Sequence, residues 1–418
     1  MSPGRAREIA ASLDLRALPP DFYANPFPVY AALRGSEPVR RMPDGSWFLT
    51  RHADLVQVYR DAHCFSSDKK VEFTPKYGAG SALLEHHTTS LVFNDPPLHT
   101  RVRKLIMGAL TRRAIADMEP GLILLVETLL DGIEAKGGGD LVEDFASAIP
   151  VEIIGNLLAV PRDERGPLRG WSLAILGALE PKLTPEQEAA GNRSVREFLD
   201  YLKVLVADRR KYPGDPEHDV LTRLVQGEDA GEKLTETELL QNCVFILNAG
   251  HETTTNLIGN ALAALEEWPQ EKERLLRAIG ERPDWDALEP AMTLAVDEFL
   301  RFESSNQLGN RRALQACEVG GVALAEGALV TLCIGAANRD PAQFADPDVL
   351  DLRRENNRHL AFGFGIHQCA GLSLARLEGK VAIGRFLARF PRYRLTEMPT
   401  RGGRARFRGF LEAPFALE

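Results

Sequence analysis

The sequence predicts a mainly α fold of the α+β class, a single domain over residues 1–418 with small β-sheets at its margin. Three observations predict it. Apolar residues recur at helical spacing over 96–118, 121–136, 144–159, 190–211, 236–265, 288–302 and 371–390. Strand-like pieces are short, at 46–50, 312–324 and 328–333, with more strand expected in the Arg- and Pro-punctuated stretch 393–418. No long linker, low-complexity tract or internal repeat divides the chain, so its helices are expected to share one core.

Taken in order, residues 68–94 carry Gly, Pro and scattered polar residues without a period and read as a loop. Residues 96–118 open on Pro96-Pro97, well placed at a helix start. Residues 236–265 form a long, largely apolar helix with Gly250 and three threonines at its centre. Residues 334–370 hold turn signals before a Gly-rich tip, and a strong helix, LSLARLEGKVAIGRFLARF, follows. Loops of this length in a compact fold are usually functional.

Composition narrows the function. With 44% hydrophobic and 26% charged residues the chain is ordinary for a globular protein, and its length suffices to bury a large core and enclose a cofactor. A net charge of −9 argues against general nucleic-acid binding, which needs a basic excess. The N-terminal stretch MSPGRAREIAASLDLRALPP lacks an apolar targeting segment, and no apolar run is long enough to span a bilayer. A cytoplasmic location with no membrane association is expected. The five cysteines are odd in number, widely spaced and without a CxxC pair, which disfavours both a zinc cluster and a disulfide framework.

One cysteine has an unusual neighbourhood. In HLAFGFGIHQCAG, residues 359–371, Gly363 and Gly365 permit positive φ, so the chain can turn back in little space. Cys369 lies just before a helix start, where free N–H groups and the macrodipole favour a thiolate. An inert core cysteine beside a glycine turn would satisfy the same facts. In the long helix, Gly250 costs about 1 kcal/mol relative to Ala, and threonine hydroxyls can divert backbone hydrogen bonds. A local distortion there would leave room for small ligands.

The run Phe362-Gly363-Phe364-Gly365-Ile366-His367-Gln368-Cys369-Ala370-Gly371 resembles the haem-binding signature of the cytochrome P450 family, with every fixed position present. Upstream, Ala249-Gly250-His251-Glu252-Thr253-Thr254 resembles the family's distal-helix motif. The likeness extends in order over residues 20–418 and includes Asn25-Pro26-Phe27 and the Trp47-to-Ser67 segment. It implies haem b (iron protoporphyrin IX) with Cys369 as the metal ligand. A thiolate ligand pushes electron density to the iron and favours O–O cleavage. It implies proton delivery by Glu252 and Thr253, a hydroxyl backed by a titratable carboxylate.

The resemblance also places Glu298 and Arg301 as a buried structural pair bracing the cysteine loop, met by Asn338-Arg339-Asp340-Pro341 and Phe344. His99, Arg103, Arg311 and His367 match positions that hold the haem carboxylates. Helical spacing puts Phe245, Asn248, Ala249 and Glu252 roughly on one face, so Phe245, Asn248 and Ala249 are expected at the substrate. Asn248, a poor helix former, bonds either a substrate polar group or an adjacent helix. Ser304-Ser305-Asn306-Gln307 stands where relatives carry Pro and apolar residues, and Asn306 is expected to meet a substrate bearing oxygen or nitrogen.

The implied activity inserts one atom of dioxygen into a small-to-medium organic substrate, by hydroxylation or oxidative dealkylation. No flavin or iron–sulfur module is expected after Glu418. Electrons should therefore come from a separate ferredoxin or flavodoxin with its reductase, and the basic run Thr100–Arg113 is a docking candidate for an acidic partner. A monomer is expected. Two rivals are a peroxide-driven haem enzyme and a haem carrier without catalysis, and the Glu252-Thr253 pair argues against both.

Overall fold

The computed structural model describes residues 1–216, 219–229, 232–280 and 283–418. Its axis is the helix Glu236–Glu267, which opens on a capping box: the Thr235 hydroxyl accepts from Glu238 N at 3.2 Å and the Glu238 carboxylate accepts from Thr235 N at 2.9 Å. A helix buried nearly all round needs neighbours on every side. Ala148–Leu157, Gly166–Gly177, Pro185–Lys211 and Leu372–Arg389 pack on it. Val244, Leu247, Leu257, Ile258 and Leu262 share one apolar core with Ile153, Ile154, Phe198, Leu377 and Ile383.

The largest sheet runs Val39–Arg41, Trp47–Leu49, Leu329–Cys333, Leu308–Ala313, Phe65–Ser66 in spatial order. Leu329–Cys333 pairs parallel with Trp47–Leu49 and antiparallel with Leu308–Ala313, which ties distant parts of the sequence together. A three-stranded sheet joins Arg394–Leu395 and Pro414–Ala416 to Gly138–Asp140. The expected strand 312–324 is in fact the end of Leu308–Ala313 followed by a hairpin, Cys317–Val319 with Val322–Leu324. Among the described residues no helix is long and apolar enough to cross a membrane.

Several boundaries differ from expectation, each for a local reason. The apolar period of 96–118 spans two helices, Leu98–Ala109 and Arg112–Lys136, because the Thr111 hydroxyl accepts from Ala114 N at 3.1 Å and starts a new helix. The expected helix 121–136 is the continuation of the second, which carries Pro120 within it. Residues 144–159 begin as a π-helical turn, Leu141–Ala146, capped by Asp140, and continue as Ala148–Leu157. Gly166–Gly177 was not expected as a helix, and 190–211 begins earlier, at Pro185, behind a Thr184–Gln187 capping box.

The stretch 68–94, expected as a loop, folds as two short helices, Lys70–Tyr77 and Ala82–Thr89. The Asp68 carboxylate accepts from Lys70 N at 2.8 Å and the Ser81 hydroxyl from Leu84 N at 3.1 Å. Tertiary packing supplies the stability that such short segments lack alone. Residues 334–370 stay mostly irregular, apart from the short turns Ile334–Ala337 and Gly365–His367.

Candidate functional site

The cysteine loop closes on itself through backbone bonds. Gly363 N donates to Leu360 O at 2.8 Å, Cys369 N to Phe362 O at 2.8 Å and Gln368 N to Gly365 O at 3.1 Å. Gly363 and Gly365 adopt φ of 65° and 73°. Space is equally restrictive at Gly365, where a Cβ would lie 2.3 Å from Tyr59 O. The result is a half-buried Cys369 at the mouth of helix Leu372–Arg389. Burial pushes its thiol up, while the Gly371 backbone and the Arg103 and Arg376 guanidiniums pull it down. Those same donors stabilise an anionic sulfur once a cation binds it, and a metal-bound thiol is deprotonated outright.

Beneath the loop, Glu298 and Arg301 have no solvent exposure and meet in a two-pronged pair, Nε–Oε2 2.7 Å and Nη2–Oε1 2.8 Å. Arg301 also donates to Asn338 O (2.9 Å), Pro347 O (2.7 Å) and Val349 O (3.1 Å). Glu298 accepts from Asp351 N (2.9 Å), Arg354 Nε (3.1 Å) and Asn357 Nδ2 (3.0 Å). Asn338 then accepts from Leu360 N at 2.7 Å, where the cysteine loop begins. Phe344 lies with its ring centre 5.3 Å from the Arg301 guanidinium. The pair therefore fastens the irregular chain 338–360.

On the opposite side of the loop tip, His99 and Arg103 come from Leu98–Ala109, Arg311 from its strand, and His367 from the loop. The His99 and His367 rings stand 4.1 Å apart, and Arg103 Nη2 donates to Gln368 O at 2.7 Å. Both ring nitrogens of His99 and Nε2 of His367 are buried without a partner. Burial, aided by Arg103, pushes His99 down to about 4. Burial, with Arg311, His99, Arg103 and Lys69, pushes His367 down to about 2. Lys69 escaped the sequence reading. It is 3% exposed and donates to Glu72 at 3.1 Å, and burial lowers it to about 8. Nothing in the sequence separates it from its exposed neighbour Lys70, since burial here depends on tertiary packing.

Glu72 pairs with Lys69 in this cluster, but the imidazole nitrogens of His99 and His367 Nε2 stay orphaned, and a group bearing carboxylates beside Cys369 fits them. Among the described residues no cluster of His, Cys, Asp and Glu is arranged to hold a metal ion. A single sulfur suits a metal that brings its own ring of nitrogens, as haem iron does.

On the long helix, Glu252 is buried. Its Oε1 accepts from Arg404 Nη1 at 2.5 Å, and Oε2 has no partner. Burial pushes this carboxyl up against the pull of Arg404. The Thr253 hydroxyl donates to Ala249 O at 2.7 Å, and Thr253 O accepts from Ser305 Oγ at 2.8 Å. Gly250 lets Ile154 pack close, since a Cβ there would lie 2.6 Å from Ile154 Cδ1 and push that side-chain end aside. From the cysteine-loop helix, Glu378 faces the Thr254 hydroxyl at 3.4 Å, and burial pushes it up to about 8. Neither Arg404 nor Glu378 was singled out in the sequence. Arg404 sits in the run RGGRARFR, which reads as a basic surface, yet Arg408 pairs with Glu303 and Arg406 with Asn310 inside the fold.

The residues expected at a substrate do not share one surface. Phe245 is half-buried against the core and Ala249 is exposed. Asn248 is 2% exposed and its amide meets His86 Nε2 at 3.2 Å, so the adjacent-helix alternative holds for its Nδ2, while Oδ1 is unpartnered. The polar run 304–307 needs correction as a ligand surface. Ser304 bonds Leu300 O, Ser305 bonds Thr253 O and Gln307 bonds Ser304 O. Asn306 Oδ1 and Gln307 Oε1 stay buried and unpaired, and Asn306 bridges to Phe407.

Comparison with known proteins places this geometry. Residues 178–401 match the family model described as Cytochrome P450. The chain is 33% identical over 384 residues to the biotin biosynthesis cytochrome P450 of Bacillus subtilis (strain 168), covering 91% of this chain and 93% of that protein. It is 35% identical over 395 residues to the cytochrome P450 monooxygenase PikC of Streptomyces venezuelae, covering 93% and 89%. The crystal structure of P450BioI in complex with hexadec-9Z-enoic acid ligated acyl carrier protein superposes with a TM-score of 0.87 at 31% identity, over 95% of this chain and 100% of that one.

Proposed function

The chain belongs to the cytochrome P450 family, monooxygenases whose haem is held by a cysteine thiolate, and we propose that the sulfur here is that of Cys369. The reaction is insertion of one oxygen atom into a small-to-medium organic substrate, as hydroxylation or oxidative dealkylation. Bound haem supplies the activation of dioxygen, which draws two electrons and two protons. One observation carries the site assignment. The loop that presents Cys369 lies against a buried cluster of cations and unpartnered imidazole nitrogens.

Arg103 and Arg311, with the neutral imidazoles of His99 and His367, hold the haem carboxylates, and Lys69 adds a third cation. Glu298 and Arg301 hold the loop in place. Glu252 and Thr253 move protons. Arg404 anchors one oxygen of Glu252 and leaves the other free to take up and release a proton, and burial raises its affinity for that proton toward the working range. The Thr253 hydroxyl, bonded to Ala249 O at rest, must rotate to donate elsewhere. Ala249 and the unpaired amide oxygens of Asn248 and Asn306 border the substrate, whereas Phe245 packs against the core.

Electrons come from a separate ferredoxin or flavodoxin with its reductase. The protein works as a single-domain monomer in the cytoplasm. The test is turnover of the haem-loaded protein with a surrogate ferredoxin, its reductase and NADH. Coupled consumption of NADH and dioxygen in the presence of a binding substrate is expected. Activity with hydrogen peroxide that far exceeds the NADH-driven rate would instead mark a peroxide-driven enzyme, and no consumption at all would mark a carrier.

A further inference from the structure

Asn248 sits in the middle of the long helix, where every backbone N–H is already committed to the helix ladder. A buried amide oxygen there needs a donor from outside the helix. The helix Ala82–Thr89 brings His86 to it. His86 Nδ1 lies 3.0 Å from Gln241 Oε1, and Nε2 lies 3.2 Å from Asn248 Nδ2. With Gln241 Oε1 accepting from Nδ1–H, Nε2 is the ring nitrogen left to accept from the Asn248 amide. Burial keeps His86 neutral, pushing it down to about 4. The imidazole therefore locks the Asn248 amide with its nitrogen inward, and Oδ1 remains the atom without a partner.

Asn248 itself is 2% exposed, so its Oδ1 is shut off from bulk solvent. The ring of His87, 4.9 Å from that of His86, carries a second buried, unpartnered atom, Nε2. It is enclosed by Phe73, Tyr77 and Phe93, with ring centres within 5.8 Å.

We propose that Asn248 Oδ1, held in place by His86, receives a hydrogen-bond donor of the substrate, a hydroxyl or an amide N–H, and so selects donor-bearing organic molecules over their methylated counterparts. The inference rests on the monooxygenase reading, which makes the molecule beside this helix a substrate. His86 is a positioning residue, since it acts through Asn248. A site built to satisfy a donor discriminates strongly against an analogue that lacks it, because the protein acceptor is then left buried and unpaired.

The test uses the haem-loaded protein and three probe pairs: lauryl alcohol, estradiol and lauramide, each against its O- or N-methylated counterpart. Binding is read from the shift of the haem absorption band. The donor-bearing member of at least one pair is expected to bind about tenfold or more tightly, roughly 1.4 kcal/mol. Asn248→Leu should erase that preference, and Asn248→Asp, which retains an acceptor, should keep it. His86→Phe should erase it as well, whereas His86→Gln, which can still accept from the amide, should retain most of it. Equal or weaker binding of every donor-bearing probe overturns the proposal, as does a preference that survives Asn248→Leu. The carbon monoxide spectrum of the same samples separates the two failures. An intact thiolate band without donor preference overturns this inference alone, and absence of the band removes the monooxygenase reading with it.

Discussion

Glu252 carries one oxygen pinned by Arg404 and one without a partner, and Thr253 beside it hydrogen-bonds its own helix. If this pair moves protons, Thr253→Ala should retain haem yet divert reducing equivalents to hydrogen peroxide. Peroxide released per NADH measures this, and product yield should fall by about tenfold or more, since a positioned acid contributes roughly 10²–10⁴-fold. Arg404→Gln removes a cation that lowers the Glu252 carboxyl, so the pH profile of turnover should move upward on the limb that Glu252 controls. An unchanged profile would leave Arg404 a bystander.

Glu378 offers a stability test. Burial raises its folded affinity for a proton to about 8, above the ordinary carboxylate value of 4.5. A raised carboxyl favours folding while protonated, so its contribution is complete below about pH 4.5 and is lost as pH climbs through about 8. Glu378→Gln should remove that decline, and denaturant midpoints of the two proteins should diverge over this window. The expected difference is of the order of a few kcal/mol at the alkaline end. Parallel curves would refute it.

At the scale of elements, the Glu298–Arg301 pair holds the chain that leads into the cysteine loop. Removing one partner leaves the other charge buried. Arg301→Ala should therefore cost about 3–5 kcal/mol and yield protein poor in haem, measured as the haem-to-protein absorbance ratio. Full haem content in a stable variant would contradict the bracing role. Arg112 and Arg113 occupy the first turn of Arg112–Lys136, both exposed, at the end where the helix dipole disfavours cations. Arg113 meets Asp117 one turn on, but Arg112 has no such ion pair among the described residues, and its unfavourable end position favours a role in docking an acidic redox partner. Charge reversal at both should slow reduction by the surrogate ferredoxin, most at low salt.

Element boundaries were legible wherever apolar period and caps agreed, as in Glu236–Glu267. They were misread where a single capping hydroxyl interrupts a continuous period, as Thr111 does, or where short helices lean on tertiary contacts, as in 68–94. The Gly-rich cysteine loop was legible because its geometry is local. The positive φ of Gly363 and Gly365 is such a local condition, whereas the close approach of Tyr59 O to Gly365 comes from a remote segment.

Over the whole molecule, the contacts that eluded the sequence are those that join remote segments. Arg404 meets Glu252 from the C-terminal region, Lys69 turns inward toward Arg311 and His367, and His86 reaches Asn248 from another helix. No local pattern encodes such pairings, whereas a motif run such as 362–371 carries its own context. The same assembly explains why the polar run 304–307 misleads. Its side chains read as ligands in one dimension, but Ser304 and Gln307 bond carbonyls at the end of Trp285–Phe302 and Ser305 bonds Thr253 O of the long helix.

All of these roles depend on sulfur at position 369 binding haem iron as an anion. The direct measurement is the absorption spectrum of the purified, haem-loaded protein, reduced under carbon monoxide, beside that of Cys369→His. The native protein should give the long-wavelength Soret band diagnostic of thiolate ligation, and the variant should lose it. A folded, haem-loaded native protein without that band would contradict the account.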